Sequence, residues 1–279
     1  MCLLVFAWRS HPDYPLILVG NRDEFYTRRT RPAAWWGQAV SLLAGHDEEA
    51  GGTWLGITRR GRFAALTNVR APTERNPHAP SRGELVLSAL QAPQPGGEWL
   101  QAQAPKTSTY NGFNLLVGDV LPNDGDADGS TLHYFSNRLE QSAQSLAPGI
   151  YGLSNGFLDT PWPKVTRAVG AFACTIAGGV AVERLIGLME PREEARDWEL
   201  PSTGVPLDWE RALSAIQIRA NGYGTRTTTV LTVRSDALVT FFERTFDSAD
   251  PERWTDRHFE FMVDGETRPS LRARASGAD

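Results

Sequence analysis

An α+β protein built on antiparallel sheets follows from three features of this 279-residue chain. Short apolar runs come in pairs separated by turn-like residues, as hairpins do. Segments with helical spacing fall in pairs between those hairpins. A threonine- and valine-rich run, Thr227 to Val233, favours a strand, with Leu238 to Thr245 as its partner.

The first hairpin organises the rest. Met1-Cys2-Leu3-Leu4-Val5-Phe6-Ala7-Trp8 and Pro15-Leu16-Ile17-Leu18-Val19-Gly20 flank the turn-like Ser10-His11-Pro12-Asp13. The second run ends in the polar cluster Asn21-Arg22-Asp23-Glu24-Phe25, and a hairpin returns that cluster to Cys2. If Met1 is removed, Cys2 carries a thiol and a free α-amine on one carbon. An α-amine titrates near ~8 and a cysteine near ~8.5, so the amine can accept the thiol proton. An arginine nearby favours the thiolate and a carboxylate holds the ammonium. The same residues also suit a plain buried strand start with a salt bridge at its end.

Residues 27–50 read as a long loop, with Arg28, Arg29 and Arg31 ahead of Pro32 and the pair Trp35-Trp36. Such a loop can cradle an anionic, partly apolar ligand; equally, the tryptophans can cap the core while the arginines are solvated. A strand from Thr53 to Arg59 turns at Arg60-Gly61 and returns from Arg62 to Asn68. Residues 70–81, with Pro72, Pro77 and Pro80, form an exposed loop, and Ser81 is placed to cap a helix from Arg82 to Gln91. A short helical piece follows at Glu98 to Gln103. Strands are expected over Gly112 to Asp119 and Thr131 to Ser136, around an acidic turn at 123–130, and over Gly149 to Asn155.

A helix starts near Thr160-Pro161-Trp162, with Val165, Val169, Phe172 and Ile176 at helical spacing and Cys174 read as inert core packing. Residues 180–189 read as another short helix. The charged, proline-interrupted stretch 190–213 reads as a flap or an interface. A last strand is expected over Arg257 to Val263. Candidate site residues run from position 2 to 226 without a composition break, which favours one domain over 1–263 and a frayed tail over 264–279.

Hydrophobic residues make up 41% of the chain, enough for a large core. The net charge of −5 is interspersed, which argues against nucleic acid as partner. Two cysteines give neither a disulfide framework nor a metal-binding spacing. A reducing compartment, no membrane span and a cytoplasmic location are the expectation.

Further stretches carry a resemblance: Gly51-Gly52-Thr53-Trp54-Leu55-Gly56-Ile57, Ala65-Leu66-Thr67-Asn68, Tyr110-Asn111-Gly112-Phe113-Asn114-Leu115, Tyr151-Gly152-Leu153-Ser154-Asn155, Thr160-Pro161-Trp162-Pro163-Lys164 and Gly222-Tyr223-Gly224-Thr225-Arg226-Thr227. Together with Met1 to Leu4 and Asn21 to Phe25, they make the chain similar over nearly its whole length to the NRDE family, also called the transport and Golgi organisation protein 2 family. That family resembles the cysteine-type N-terminal-nucleophile hydrolases. The resemblance implies a four-layer α-β-β-α sandwich.

It also implies site roles. Cys2 is the nucleophile, Asn68 and Asn155 are the oxyanion and amine-holding amides, and Arg226 is the thiolate partner. For the arginine and carboxylate next to the nucleophile, a gapless register selects Asn21 and Glu24, whereas residue identity selects Arg22 and Asp23. Side chains alternate faces on a strand, so both pairs cannot point inward unless the chain turns. The implied activity is hydrolysis of a small amide at Cys2, with no metal and no cofactor. The alternative is non-catalytic binding of haem or acyl-CoA, since eukaryotic members of that family have been tied to haem mobilisation and to acyl-CoA or lipid homeostasis. Arg28, Arg31, Trp35, Trp36 and Trp54 are the candidate ligand-binding residues. Any of His11, His46, His78, His133 and His258 could serve as an axial haem ligand, though none sits in a recognisable ligand spacing.

Overall fold

The computed structural model describes residues 2–37, 41–120, 130–140, 142–263 and 267–268. Strand β1 (Cys2–Trp8) and strand β2 (Leu16–Phe25) form the expected hairpin, with Cys2 opposite Arg22 and Trp8 opposite Leu16. Every residue of β1 is buried. Its unbroken apolar run thus marks a strand covered on both faces.

The next two strands were not expected. Residues 27–50, read as a loop, contain β3 (Thr30–Trp36) and β4 (Leu42–Asp47), paired with a register shift between Arg31 and Ala34. Strands β5 (Leu55–Thr58) and β6 (Arg62–Asn68) follow the sequence reading. Helix α1 (Gly83–Gln91) forms, but its N-cap is Arg82 and no side chain caps it, so Ser81 does not play the expected part. Helix α2 (Gly96–Gln103), β7 (Phe113–Asp119), β8 (Thr131–Ser136), β9 (Gln144–Ser145) and β10 (Gly149–Leu153) come next. Of the acidic turn at 123–130, only Ser130 is among the described residues.

Helix α3 (Pro163–Ala177) buries Val165, Phe172 and Ile176, while Cys174 is exposed and not core packing. Helix α4 (Val182–Gly187) leads into the 190–213 stretch, which holds a 3-10 turn at Asp197–Glu199 and helix α5 (Leu207–Leu213). That stretch is fastened at several points. Arg70 pairs with Glu210 at 2.7 Å, Arg167 donates to the Glu193 carbonyl at 3.0 Å, and the Gln217 N–H donates to the Pro191 carbonyl at 2.8 Å. The chain ends in β11 (Arg219–Ala220), β12 (Tyr223–Val233), β13 (Leu238–Phe246), β14 (Trp254–Met262) and a two-residue strand β15 (Thr267–Arg268). The rest of the 264–279 tail lies outside the described residues.

The pairings make two antiparallel sheets. One runs β10-β1-β2-β12-β13-β14-β15 with β11 on β12, and the other runs β3-β4-β5-β6-β7-β8-β9. Alternation sends Leu4, Phe6, Trp8, Leu16 and Leu18 of the first sheet against Leu43, Leu55, Ile57, Phe63 and Leu116 of the second. Leu3, Val5, Ala7, Ile17 and Val19 point the other way, onto Val165, Phe172 and Ile176 of α3 and onto Leu185 and Ile186 of α4. Ala64, Leu66, Leu115 and Val117 on the outside of the second sheet pack against α1 and α2. Three apolar interfaces therefore separate four layers in the order α-β-β-α.

Candidate functional site

The start of β1 and the ends of β2, β6 and β10 meet at one end of the sandwich. There a cleft of ≈ 370 Å³ opens, with Cys2, Arg22, Asp23 and Glu24 from the first sheet and Leu66 and Asn68 from the second. The size is in the ordinary range for a small-molecule site, ~300–1,000 Å³. Thr53 and Trp54 form a wall, and the proline-rich loop contributes Pro77, Pro80 and Ser81 at the rim.

Strand alternation decides the polar cluster. Cys2 faces Arg22 across the hairpin, so Arg22 and Glu24 share the cleft face and the side chains of Asn21 and Asp23 alternate to the other, although Asp23, unlike Asn21, still contributes to the cleft lining. Asn21, a candidate for the chemistry, is instead a structural tie. Its Nδ2 donates to the Met189 and Ile216 carbonyls at 2.9 and 3.0 Å, and its Oδ1 accepts from Thr228 Oγ1 at 2.6 Å. Asp23 is fully buried, and its Oδ1 accepts from Thr225 Oγ1 at 2.7 Å.

Burial pushes the Cys2 thiol up and the Asp23 carboxylate acts in the same sense; Arg22 and a backbone hydrogen bond from Asp23 oppose them without cancelling them. The chain's amino terminus is the largest influence in the opposite sense, yet the balance still lies above the ordinary value, so attack by this sulfur calls for a base. Burial also pushes the Glu24 carboxyl up, but the Phe25 N–H it accepts, with Arg22 and Arg28, holds it below the ordinary value. The Arg22 guanidinium lies 4.3 Å from the centre of the Trp54 ring and 3.8 Å from Asp47. Trp54 stacks on Gly45, where a Cβ would stand 2.3 Å from the ring, so only glycine admits this support.

The three residues contributed from afar divide in their roles. Asn68 lines the cleft, and its side-chain amide makes no hydrogen bond among the described residues. Asn155 is buried outside the cleft lining and donates from Nδ2 to the Asn68 carbonyl at 2.8 Å, so it braces Asn68 rather than offering a second free amide. Arg226, expected at the thiol, is the extra residue of a β-bulge between Thr225 and Thr227. Bulges re-aim side chains, and this one sends the guanidinium to the carbonyls of Phe25 and Arg28 at 3.0 and 2.9 Å. The arginine beside the sulfur is Arg22.

Of the candidate ligand-binding residues, Arg28 and Trp54 line the cleft. Arg31 is exposed and pairs with Glu48. Trp35 packs edge-on to Phe261 under Arg59, and Trp36 donates to the Ala44 carbonyl at 2.9 Å. Trp35 covers the core, and none of the three lines the cleft. None of the five histidines lines it either.

Two cationic residues escaped the sequence reading. Arg82 lines the cleft and lies within electrostatic reach of Glu24 and Cys2. It is carried there because the backbones of Gly52 and Gly83 touch: a Cβ on Gly52 would lie 2.5 Å from the Gly83 carbonyl carbon. Lys164 is buried near Asp23 and Cys2. Its signal in the sequence was its position just inside a helix start, where a cation opposes the macrodipole.

No helix among the described residues is long and apolar enough to cross a membrane. Among solved structures, the chain is similar to a Caenorhabditis elegans N-acylethanolamine-hydrolyzing acid amidase ortholog, at 10% identity over 82% of this chain and 92% of that one, with a TM-score of 0.40. It is also similar to a variant of conjugated bile acid hydrolase from Clostridium perfringens, at 10% identity over 100% and 99% of the two chains, with a TM-score of 0.47. In sequence it is 37% identical to the Bos taurus Transport and Golgi organization protein 2 homolog, over 94% of this chain and 99% of the bovine one. It is 35% identical to the Homo sapiens homolog, over 94% and 99%, and 30% identical to the Drosophila melanogaster Transport and Golgi organization protein 2, over 93% and 98%. The family model described as Transport and Golgi organisation 2 matches residues 1–248, and the chain belongs to that family.

Proposed function

We propose that the protein is a cysteine amidohydrolase that cleaves a small amide by acyl transfer at Cys2, in a reducing, cytoplasmic setting. The observation that supports this is the cleft shared by Cys2 and the Asn68 amide, which makes no hydrogen bond among the described residues. With Met1 removed, the α-amine of Cys2 takes the thiol proton as Sγ attacks the amide carbonyl carbon. The oxyanion accepts a hydrogen bond from Asn68 Nδ2, a donor worth ~3–4 kcal/mol when preorganised. The ammonium then protonates the leaving nitrogen as the C–N bond breaks, leaving a thioester on Cys2. Water attacks that thioester, its proton passes to the amine, and the carboxylic acid leaves as the thiol reforms.

Intact mass of the protein from its own host is expected to show Met1 absent. With the adjacent amine freed to take the thiol proton and so offset the effect of burial, Cys2 is expected to react with iodoacetamide at pH 7 faster than free cysteine. A panel of fluorogenic N-acyl amides should then show turnover that falls by roughly 10²–10³ in kcat for Asn68→Ala. Retained Met1, or a Cys2 no faster than free cysteine, would falsify the reading.

A second reading has its own support. Arg82 reaches the cleft with a single hydrogen bond, to the Gly112 carbonyl at 3.0 Å, and no carboxylate partner among the described residues. A guanidinium so placed suits a phosphate-bearing ligand such as an acyl-CoA. The cleft fits haem less well, because Cys2 is the one thiol and no histidine is present among its lining residues. Arg82→Ala is expected to weaken long-chain acyl-CoA binding about tenfold in an equilibrium titration; an unchanged affinity removes this reading.

A further inference from the structure

The chain has 28 Lys and Arg residues, of which Lys106 and Lys164 are the two lysines. One of the two is buried within electrostatic reach of the nucleophile. Lys164 is 1% exposed, and its Nζ has no hydrogen-bond partner among the described residues. It occupies the first turn of α3, where the helix dipole is positive. Burial and dipole both oppose an ammonium there, so the residue does not serve the helix.

Charged and titratable groups face it from each neighbouring element. Asp23 on β2, Cys2 on β1 and Arg70 after β6 act on it directly. Arg70 is itself paired with Glu210 of α5, and Tyr223 of β12 feels Asp23, Glu24, Cys2 and Arg70. Burial lowers Lys164 to about 8, Asp23 pulls it up, and Arg70 pushes it down. Asp23 in turn is raised by burial and held down first by Lys164.

We infer that Lys164 is a positioning residue for the Cys2 reaction: its buried ammonium balances the Asp23 carboxylate, so that the Cys2 amine is free to take the thiol proton. The inference rests on the reading of Cys2 as the nucleophile. An uncompensated Asp23 carboxylate would hold the amine as ammonium and keep it from acting as base. A cation acting on that carboxylate loosens the hold. Removing the cation raises the proton affinity of carboxylate, amine and thiol together, so all three changes delay the reactive form to higher pH.

The pH profile of Cys2 alkylation by iodoacetamide tests this without any substrate. Lys164→Met is expected to move the midpoint up by about one pH unit, a roughly tenfold slower reaction at pH 7. Lys164→Arg, which keeps the charge, is expected to return the midpoint to the wild-type value. Equal midpoints for wild type and Lys164→Met overturn the inference even if Cys2 proves fast. A slow wild-type Cys2 instead counts against the hydrolase reading.

Should Lys164→Met not fold, the wild-type chain carries the test. With ¹³C-ε-lysine labelling only two side-chain signals arise, one from each lysine. The Lys164 signal is expected to titrate near 8 and to titrate lower in Asp23→Asn. A Lys164 signal indifferent to Asp23→Asn overturns the inference as well.

Discussion

Asn21→Leu is expected to cost about 3–5 kcal/mol of stability and to leave the pH profile of Cys2 alkylation untouched. The amide of Asn21 is 1% exposed and fully engaged, giving two hydrogen bonds to the Met189 and Ile216 carbonyls and receiving one from the Thr228 hydroxyl. Leucine fills a similar volume but abandons all three partners inside the layer between sheet and helices. A buried polar group left without a partner costs ~1–3 kcal/mol, and three such groups, partly relieved by relaxation, give the stated range. Urea denaturation should show a lower midpoint at unchanged slope, which marks lost stability rather than a changed denatured state. Were Asn21 part of the chemistry, the reverse would be seen: stability retained and Cys2 reactivity lost.

That expectation depends on which face of β2 each residue of the polar cluster takes, and the sequence could not say. Alternation along a strand is legible in principle, yet it needs an anchor, and the anchor is the pairing of Cys2 with Arg22. Once that register is known, the side chains of Arg22 and Glu24 go to the cleft face and those of Asn21 and Asp23 to the other, with Asp23 still at the cleft lining and Asn21 away from it. The four letters of the motif thus serve two different surfaces. Arg226 was misplaced for a related reason: a β-bulge has no sequence signature at Thr225-Arg226-Thr227, and it turned the guanidinium toward the Phe25 and Arg28 carbonyls.

The elements most legible in sequence are those whose burial is simplest. Strands β1 and β2 are covered on both faces and read as continuous apolar runs. Strand β3 was hidden because it is the edge of its sheet. Edge strands tolerate proline and charge, and Arg31, Pro32 and the register shift that follows remove any period-two pattern. Arg82 and Lys164 escaped notice because each reaches the site from a helix start, where sequence periodicity says nothing about what lies opposite. Lys164 carried a clue all the same: a chain that draws so heavily on arginine has lysine at this buried position.

Glu243 supplies the other large effect, through pH. It sits on β13, 1% exposed, facing the second sheet, where its Oε1 accepts from the Ala33 N–H at 2.6 Å and from Thr245 Oγ1 at 3.3 Å. Its Oε2 has no partner among the described residues. Burial raises the carboxyl from 4.5 to about 7, against the pull of the Ala33 N–H, the Thr245 hydroxyl, Arg22 and Arg257. The folded state therefore holds the proton more tightly than the unfolded chain. The stabilisation this gives is complete below pH 4.5 and is lost as pH rises through about 7. At ~1.36 kcal/mol per pH unit the span amounts to about 3 kcal/mol. Glu243→Gln keeps an acceptor for Ala33 and Thr245 and cannot ionise. It is expected to exceed wild type by about 2–3 kcal/mol at pH 8, with the two stability curves converging below about pH 5. Urea midpoints measured across that range decide the matter, because parallel curves would mean that Glu243 does not titrate with folding. The variant also removes a charge that acts on Arg22, the guanidinium beside Cys2. Comparing its Cys2 alkylation profile with that of wild type above pH 7 then shows whether the inter-sheet carboxylate draws that guanidinium away from the sulfur.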